Sequence, residues 1–426
     1  MATLACARAT PPRTPSTRAS LQSRASPRGI PGPRRVSWAT TNAVSPSEYD
    51  DALLVAELES LVEDTRVAGC DAHTHVVAFS GGVDSSLCAY LVHRAFGGDR
   101  RRHESDARKN TADATRNVYA AVGVSPSLPS SQLTVARRVA KAIGIPLREV
   151  PTDEGASAAY VANEGESCLH CKNELYTTLR AVALDAEKAR TAKKLAGSGR
   201  LSNDETTLAV PSTDASCSEN VFLKRHDVCV YNGTNFDDRA DDTRLGLRSA
   251  AAHGVASPLF NTPKTRVREL ARVAGLPNWN LAAAPCLRSR LAFGVPALAR
   301  TLADVEAAEE AVRAILRVQP EENMRVRVLS EEEKEGAGEA EEEREKLLAS
   351  AATTGAKKSG KERRRKKGKP AALELDPHHV RAVERDTGLR ESLREALARC
   401  GFEIAETRAF ASGSVARLPP RREEKA

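Results

Sequence analysis

No stretch of this 426-residue chain approaches the ~20 continuous apolar residues of a membrane helix, so no membrane partner is expected. The opening segment also lacks the apolar run of a secretory signal and contains no acidic residue before Glu48. Cysteine is sparse. The nine cysteines (Cys6, Cys70, Cys88, Cys168, Cys171, Cys217, Cys229, Cys286 and Cys400) are too few and too scattered for a disulfide framework. In a reducing compartment they are expected to be buried thiols, metal ligands or reactive sulfur. Missing too is the lysine of a GxxxxGK[ST] loop, which weakens kinase-like and GTPase-like readings.

The net charge of +7 invites a nucleic-acid reading, but its distribution removes it. Seven of the 64 basic residues are Arg8, Arg13, Arg18, Arg24, Arg28, Arg34 and Arg35, leaving 57 basic against 57 acidic residues in the remainder. No nucleic-acid partner is expected. Residues 1–47, rich in Arg, Ser, Thr, Ala and Pro, read as an organelle transit peptide. Their prolines oppose the amphipathic helix of a mitochondrial presequence, which favours the chloroplast, with the mitochondrion as the alternative. A disordered tail that is never cleaved is the bland reading.

What is present begins with "HVVAFSGGVDSS", His75 to Ser86. Val76 to Phe79 read as a buried strand, and Leu87, Cys88, Leu91, Val92 and Ala95 recur at helical spacing. The turn between them lies where backbone N–H groups and the positive helix end face an anion. Gly81 and Gly82 let the backbone approach a ligand, Asp84 opens the helix, and the hydroxyls of Ser80, Ser85 and Ser86 can donate to phosphate oxygens. A capped helix after a glycine turn, with no ligand, is the plainer alternative.

Strand and helix patterns then alternate. Val118 to Val122 and Ile145 to Val150 are strand-like, Leu133 to Ile143 and Leu175 to Ala183 helical, "DVCVYNGTN" ends a further strand, and Val267 to Ala274 form a helix. The expected fold is α/β, a doubly wound parallel sheet over residues 50–299, with ligands beyond the carboxyl ends of its strands. Stretches near 97–116 and 187–222 are polar and read as insertions. A polyampholyte at 331–370 reads as a solvated, disordered insertion. It interrupts a smaller C-terminal α+β domain, 300–415, in which "MRVRVL" and "AALELDPHHVRAV" read as two strands, followed by a helix and a strand. At ~150 residues per domain, the length suits two domains plus extensions.

Two cysteine motifs carry further chemistry. Cys168 and Cys171 in "ESCLHCKNELY" form a CxxC whose thiolates suit iron or zinc; by itself it is half a zinc site, and a redox pair or two inert thiols fit the same spacing. Cys286 precedes "LRSR", whose Arg288 and Arg290 are expected to lower its pKa and to bind an anionic substrate. A buried structural thiol is the alternative.

"SGGVDSS" resembles the PP-loop of the ATP pyrophosphatase superfamily, whose fold is adenine nucleotide alpha hydrolase-like. The runs "SPSLPSSQL", "YVANEGESCLHCKNELY", "NGTNFDDRADDTRLGLRSAAAHGVASPL", "AAPCLRSR" and "RVRV" resemble, in that order, the LarE family of ATP-dependent sulfur transferases. Asn232 departs from the family's usual aspartate before "GTN", and Leu281 from a common lysine.

The resemblance implies adenylation of a carboxylate of a pyridinium mononucleotide and its conversion to a thiocarboxylate, in nickel-pincer cofactor biosynthesis, with ATP and Mg2+. It implies one of two sulfur routes: a single cysteine matching Cys286 surrenders its own sulfur, or three cysteines hold a 4Fe-4S cluster. The presence of Cys168, Cys171 and Cys286 favours the cluster. It also implies ATP or magnesium contacts from Asn235, Asp237 and Asp238, substrate contacts from Ser289, Arg290, Arg325 and Arg327, a second metal site at Glu309 and Glu374, and a homo-oligomer. Rival readings are another PP-loop adenylating enzyme, such as a tRNA thiolation enzyme, and a non-catalytic nucleotide-binding scaffold.

Overall fold

Four strands, β1 (Thr74–Ala78), β2 (Asn117–Val124), β3 (Leu147–Pro151) and β4 (Val228–Tyr231), form a parallel sheet in the order β3-β2-β1-β4. In the computed structural model, residues 46–69, 71–97, 117–197, 228–239, 245–330, 333 and 368–411 are described. All but the last two residues of the expected transit peptide, and most of the three expected insertions, lie outside them. Residues Pro46–Ala426 cluster as one unit.

Alternation along β1 explains why the sheet needs helices on both sides. Val77 packs with Leu58 and Val62 of α1 (Pro46–Ala68), Leu87 and Leu91 of α2 (Val83–Phe96), Val139 of α3 (Ser130–Ile143) and Leu270 of α8 (Lys264–Val273). Its neighbour Val76 faces the other way, against Tyr119, Ala121, Leu179 and Ala183, the last two on α5 (Ser167–Gly197). Both valines are fully buried, as a doubly wound parallel sheet requires. Burial of each such side chain contributes about 1.5–3 kcal/mol. Helix α1, with Leu54, Leu58 and Val62 spaced by four, was not expected from the sequence reading.

The second sheet has the order β5-β6-β7, from β5 (Met324–Val328), β6 (Lys369–Leu375) and β7 (Phe402–Ala409). Strands β5 and β6 are antiparallel, whereas β6 and β7 are parallel and joined through α10 (Pro377–Arg385) and α11 (Thr387–Arg399). Val326 and Leu373 pack on Leu302, Val305 and Val312 of α9 (Ala299–Leu316) and on Leu393 and Leu397 of α11. Leu287 and Leu291 belong to the same core, and Leu291 bridges Val328, so the Cys286 segment is built into this layer.

Three boundaries differ from expectation. Helix α5 runs to Gly197, so residues 187–197 continue a helix where an insertion was expected. Strand β6 already includes Lys369 and Pro370. The run "DPHHVRAV" is the start of α10 and not a strand, because Asp376 occupies the N-cap position and Pro377 the first helical turn.

Candidate active site

Adjacent parallel strands deliver their following loops to one edge of the sheet. The direction of strand progression reverses between β1 and β4, leaving a crevice between the loop after β1 and the loop after β4. Gly82 is the N-cap of the 14-residue α2, and no side chain caps that end. Its first-turn N–H groups and the helix dipole therefore suit a pyrophosphate.

The loop's own side chains shape this cradle. Ser85 Oγ accepts from Ser80 N at 3.2 Å and donates to the Gly82 carbonyl at 3.0 Å. Ser86 Oγ donates to the same carbonyl at 2.9 Å and is buried, so its hydroxyl fixes the loop instead of facing a phosphate. Ser80 remains exposed. Gly81 has φ 73°, and a Cβ there would lie 2.8 Å from Ala136 Cα, so both conformation and space require glycine.

Residues far along the chain complete it. Asn278 Nδ2 donates to the Gly81 carbonyl at 2.8 Å and to Ser86 Oγ at 2.9 Å, and Gln132 Nε2 donates to the Ser80 carbonyl at 2.6 Å. Asp84 accepts from Asn235 Nδ2 at 3.0 Å and pairs with Lys264 Nζ. Asn235 and Asp238 cap each other's backbone N–H groups at 3.1 and 3.2 Å, and Asp237 accepts from Lys264 N. Asn232 is structural: its Oδ1 accepts from Thr234 N and Ser257 Oγ, and its Nδ2 donates to Tyr176 Oη. Gln132, Asn278 and Lys264 were missed because only the fold brings them to the loop.

The sulfur-bearing residues meet through Asn163. This residue ends α4 (Ala158–Ala162) in the left-handed region, φ 56°, which asparagine tolerates better than most. Its Nδ2 donates to the carbonyls of Ala292 and Val295 at 2.7 and 3.1 Å, while its Oδ1 accepts from Arg288 at 2.8 Å. Arg288 also donates to Cys168 Sγ at 2.7 Å, and Leu287 N donates to the Ser127 carbonyl at 2.8 Å. The Cys286 segment is thereby fixed both to the first turn of α5, which carries Cys168 and Cys171, and to the loop after β2.

Charge in this region is concentrated. Burial pushes the Cys171 thiol up to about 12 despite the opposing Lys172, with Cys286 and Cys168 adding to the rise. Burial pulls the Lys172 ammonium down, but Tyr176 and the three cysteines outweigh it and hold the group above its ordinary value. Arg288 is likewise held up by Cys168 and Cys286 against burial. Glu154 remains below the usual carboxylate range: burial opposes this, and hydroxyl donations from Ser125 and Ser127 overcome it.

These cysteines are free thiols. Their sulfurs are not all mutually within 4.8 Å, and cysteine thiolates are the ordinary ligands of a 4Fe-4S cluster. Three thiolate donors flanked by Lys172 and Arg288 fit such a group chemically. In the metal-free protein, iodoacetamide at pH 8 is expected to label exposed Cys168 well before Cys171. A rise from 9.0 to about 12 leaves Cys171 with on the order of a thousandfold less thiolate, recovered as pH rises. Peptide mapping by mass spectrometry reads the order, and equal rates at pH 8 would contradict it.

Residues 54–203 match the NAD synthase family. Over 273 residues the chain is 30% identical to the uncharacterized protein slr1717 of Synechocystis sp., covering 63% of this chain and 80% of that protein. Over 266 residues it is 25% identical to the pyridinium-3,5-bisthiocarboxylic acid mononucleotide synthase of Lactiplantibacillus plantarum, covering 62% of this chain and 72% of that protein. The chain belongs to the LarE-type PP-loop family. It is an ATP-using enzyme related to LarE, and the family implies Mg2+ with the nucleotide.

In this LarE-type chain Arg325, Arg327 and Glu374 lie on the face of the second sheet opposite α9, while Glu309 reaches β5 from α9 itself. Arg325 pairs in register with Glu374, and Glu374 with Arg408; Arg327 lies one pleat away. Arg408 donates to Glu374 at 2.6 and 3.1 Å, and Arg325 lies over the Phe410 ring at 4.5 Å. Burial and the neighbouring Arg290 pull Arg325 below its ordinary value, against Glu309 and Glu374. Arg327 donates to Glu333 at 3.0 Å.

Arg290 and Glu309 form a buried pair, Nε to Oε1 at 2.9 Å and Nη2 to Oε2 at 3.1 Å. Arg290 also donates to the carbonyls of Pro285 and Cys286 and to Ser289 Oγ, which itself donates to the Cys286 carbonyl. Arg290 thus holds the backbone at Cys286, Arg288 faces Cys168, and Glu309 and Glu374 are each paired with an arginine.

Proposed function

We propose that this protein is an ATP-dependent sulfur transferase that converts a carboxylate of a pyridinium mononucleotide into a thiocarboxylate, the chemistry of nickel-pincer cofactor biosynthesis. The observation that carries the reading is the meeting of Cys286 with Cys168 and Cys171 at the sheet edge that also holds the uncapped α2 terminus. An ATP-cleaving loop beside concentrated thiol chemistry suits activation followed by sulfur transfer.

In the proposed reaction a substrate carboxylate oxygen attacks the α-phosphorus of ATP, and the bond to the bridging oxygen breaks. Pyrophosphate leaves with the electron pair toward the N–H groups at Gly82 to Ser85, with magnesium sharing its charge. The acyl-adenylate is then open to sulfur attack at its carbonyl carbon, expelling AMP. A 4Fe-4S cluster held by Cys168, Cys171 and Cys286 would supply transferable sulfide. The partly buried, cationic surroundings from Arg288 and Lys172 would stabilise the collected negative charge. Arg325, on the charged face, is the proposed contact for the substrate phosphate.

The test is anaerobic turnover with pyridinium-3,5-biscarboxylic acid mononucleotide. AMP, pyrophosphate and a product heavier by the replacement of oxygen with sulfur are expected. Iron bound to the wild type is expected to be lost in Cys168→Ala, Cys171→Ala and Cys286→Ala. Loss of hydrogen sulfide from the Cys286 peptide without iron would replace the cluster route by the sacrificial one. AMP formation with neither outcome would remove sulfur transfer.

A further inference from the structure

Away from the loop and thiols, the start of α10 gathers a different donor set. Glu322 Oε1 lies 3.0 Å from His378 Nε2, and Glu322 Oε2 lies 3.0 Å from His379 Nε2. The three ligand atoms are mutually within 4.8 Å, the one such group of three His, Cys, Asp or Glu side chains among the described residues. Consecutive residues on a helix do not ordinarily face each other. Here the two imidazoles converge, their ring centroids 4.0 Å apart.

The backbone holds this arrangement before any ion arrives. Asp376 accepts from Asn323 N at 2.8 Å and Asn323 Nδ2 at 3.2 Å, while Asp376 N donates to the Asn323 carbonyl at 3.2 Å. Those bonds clamp the turn before β5 to the entrance of α10. Within that turn Gln319 N donates to Glu322 Oε2 at 2.7 Å, orienting the carboxylate. The His379 side chain is 11% exposed, Glu322 24% and His378 52%, so the group is anchored on one side and open on the other.

We propose that Glu322, His378 and His379 bind one divalent first-row transition-metal ion, of the zinc, cobalt or nickel class, at a site separate from the thiols. Two imidazole nitrogens and one carboxylate oxygen suit these borderline ions and are a poor set for magnesium or calcium, which prefer oxygen. Three protein ligands leave a coordination position for water or another small donor on the open side. The site also has a mechanical consequence: the Pro320 carbonyl accepts from Ala282 N at 3.3 Å, so the clamped turn braces the segment between Asn278 and Cys286.

The experiment titrates Co2+ and then Zn2+ into the full chain carrying Cys168→Ser, Cys171→Ser and Cys286→Ser, followed by calorimetry and visible absorption. One Co2+ per chain is expected, with d–d bands but no thiolate charge-transfer band, and with displacement by Zn2+. His378→Ala and Glu322→Ala are each expected to weaken binding by at least roughly tenfold, and loss of both histidines to abolish it. If the triple serine variant fails to fold, the same ion count is compared between wild type and His378→Ala, whose side chain is half exposed; one equivalent fewer is then expected. Absence of stoichiometric binding overturns the proposal. So does undiminished binding after removal of both histidines, or cobalt held only through thiolate.

Discussion

Gly233→Ala is expected to reduce ATP-dependent pyrophosphate release by on the order of a hundredfold and to lower stability by about 1–3 kcal/mol. The loop after β4 carries Gly233 directly against the first turn of α2, where a Cβ would stand 2.5 Å from Asp84 C and 2.6 Å from Ser85 N. These obstacles are backbone atoms, so no side-chain rotation relieves them. Relief requires moving either the α2 terminus or the loop that presents Asn235 to Asp84, and both belong to the proposed nucleotide cradle. Gly254→Ala is the comparison. Its φ is 63° with open space around it, so substitution strains the local backbone without entering the site. Thermal unfolding should register both changes, whereas pyrophosphate release should collapse only for Gly233→Ala. Wild-type release from that variant would remove the close approach from the catalytic argument.

The reason the sequence reading did not single out Gly233 is the same reason it missed Asn278. A local pattern exposes what neighbours in sequence do, and the β1 loop was legible because apolar residues change to glycine and serine within a few positions. The CxxC and Cys286 were legible as chemistry. Their meeting depends on Asn163, Arg288 and Ser127, whose separations along the chain carry no periodic signal. The far end of α5 is rich in alanine and lysine and lacks an apolar stripe, so its pattern resembles an insertion although those residues favour helix. "DPHHVRAV" follows a strand without a break in the expected pattern, yet its Asp-Pro is a helix start signal. A strand reading hides the convergence of His378 and His379. The parallel sheet itself followed from strand and helix alternation, which packing reinforced on both faces of β1.

Glu309→Ala is expected to cost about 3–5 kcal/mol, because it strands the Arg290 guanidinium in a buried position. Arg290 is 4% exposed and Glu309 7%, so solvent cannot replace the carboxylate. The loss extends beyond the pair: Glu309 Oε1 also accepts from Val326 N at 3.2 Å, and nearby Arg325 loses an opposing charge while still facing Arg290. Urea unfolding should show a lower midpoint at unchanged slope. Arg290→Met with Glu309→Leu separates stability from positioning. Two apolar side chains remove the stranded charge and should recover much of the lost stability, since a buried ion pair repays its desolvation poorly. They cannot donate to the carbonyls of Pro285 and Cys286, so thiocarboxylate formation should remain impaired in a folded protein. If the double variant regains full activity, Arg290 serves the core alone and Cys286 is positioned by Leu287 and Asn163 without it.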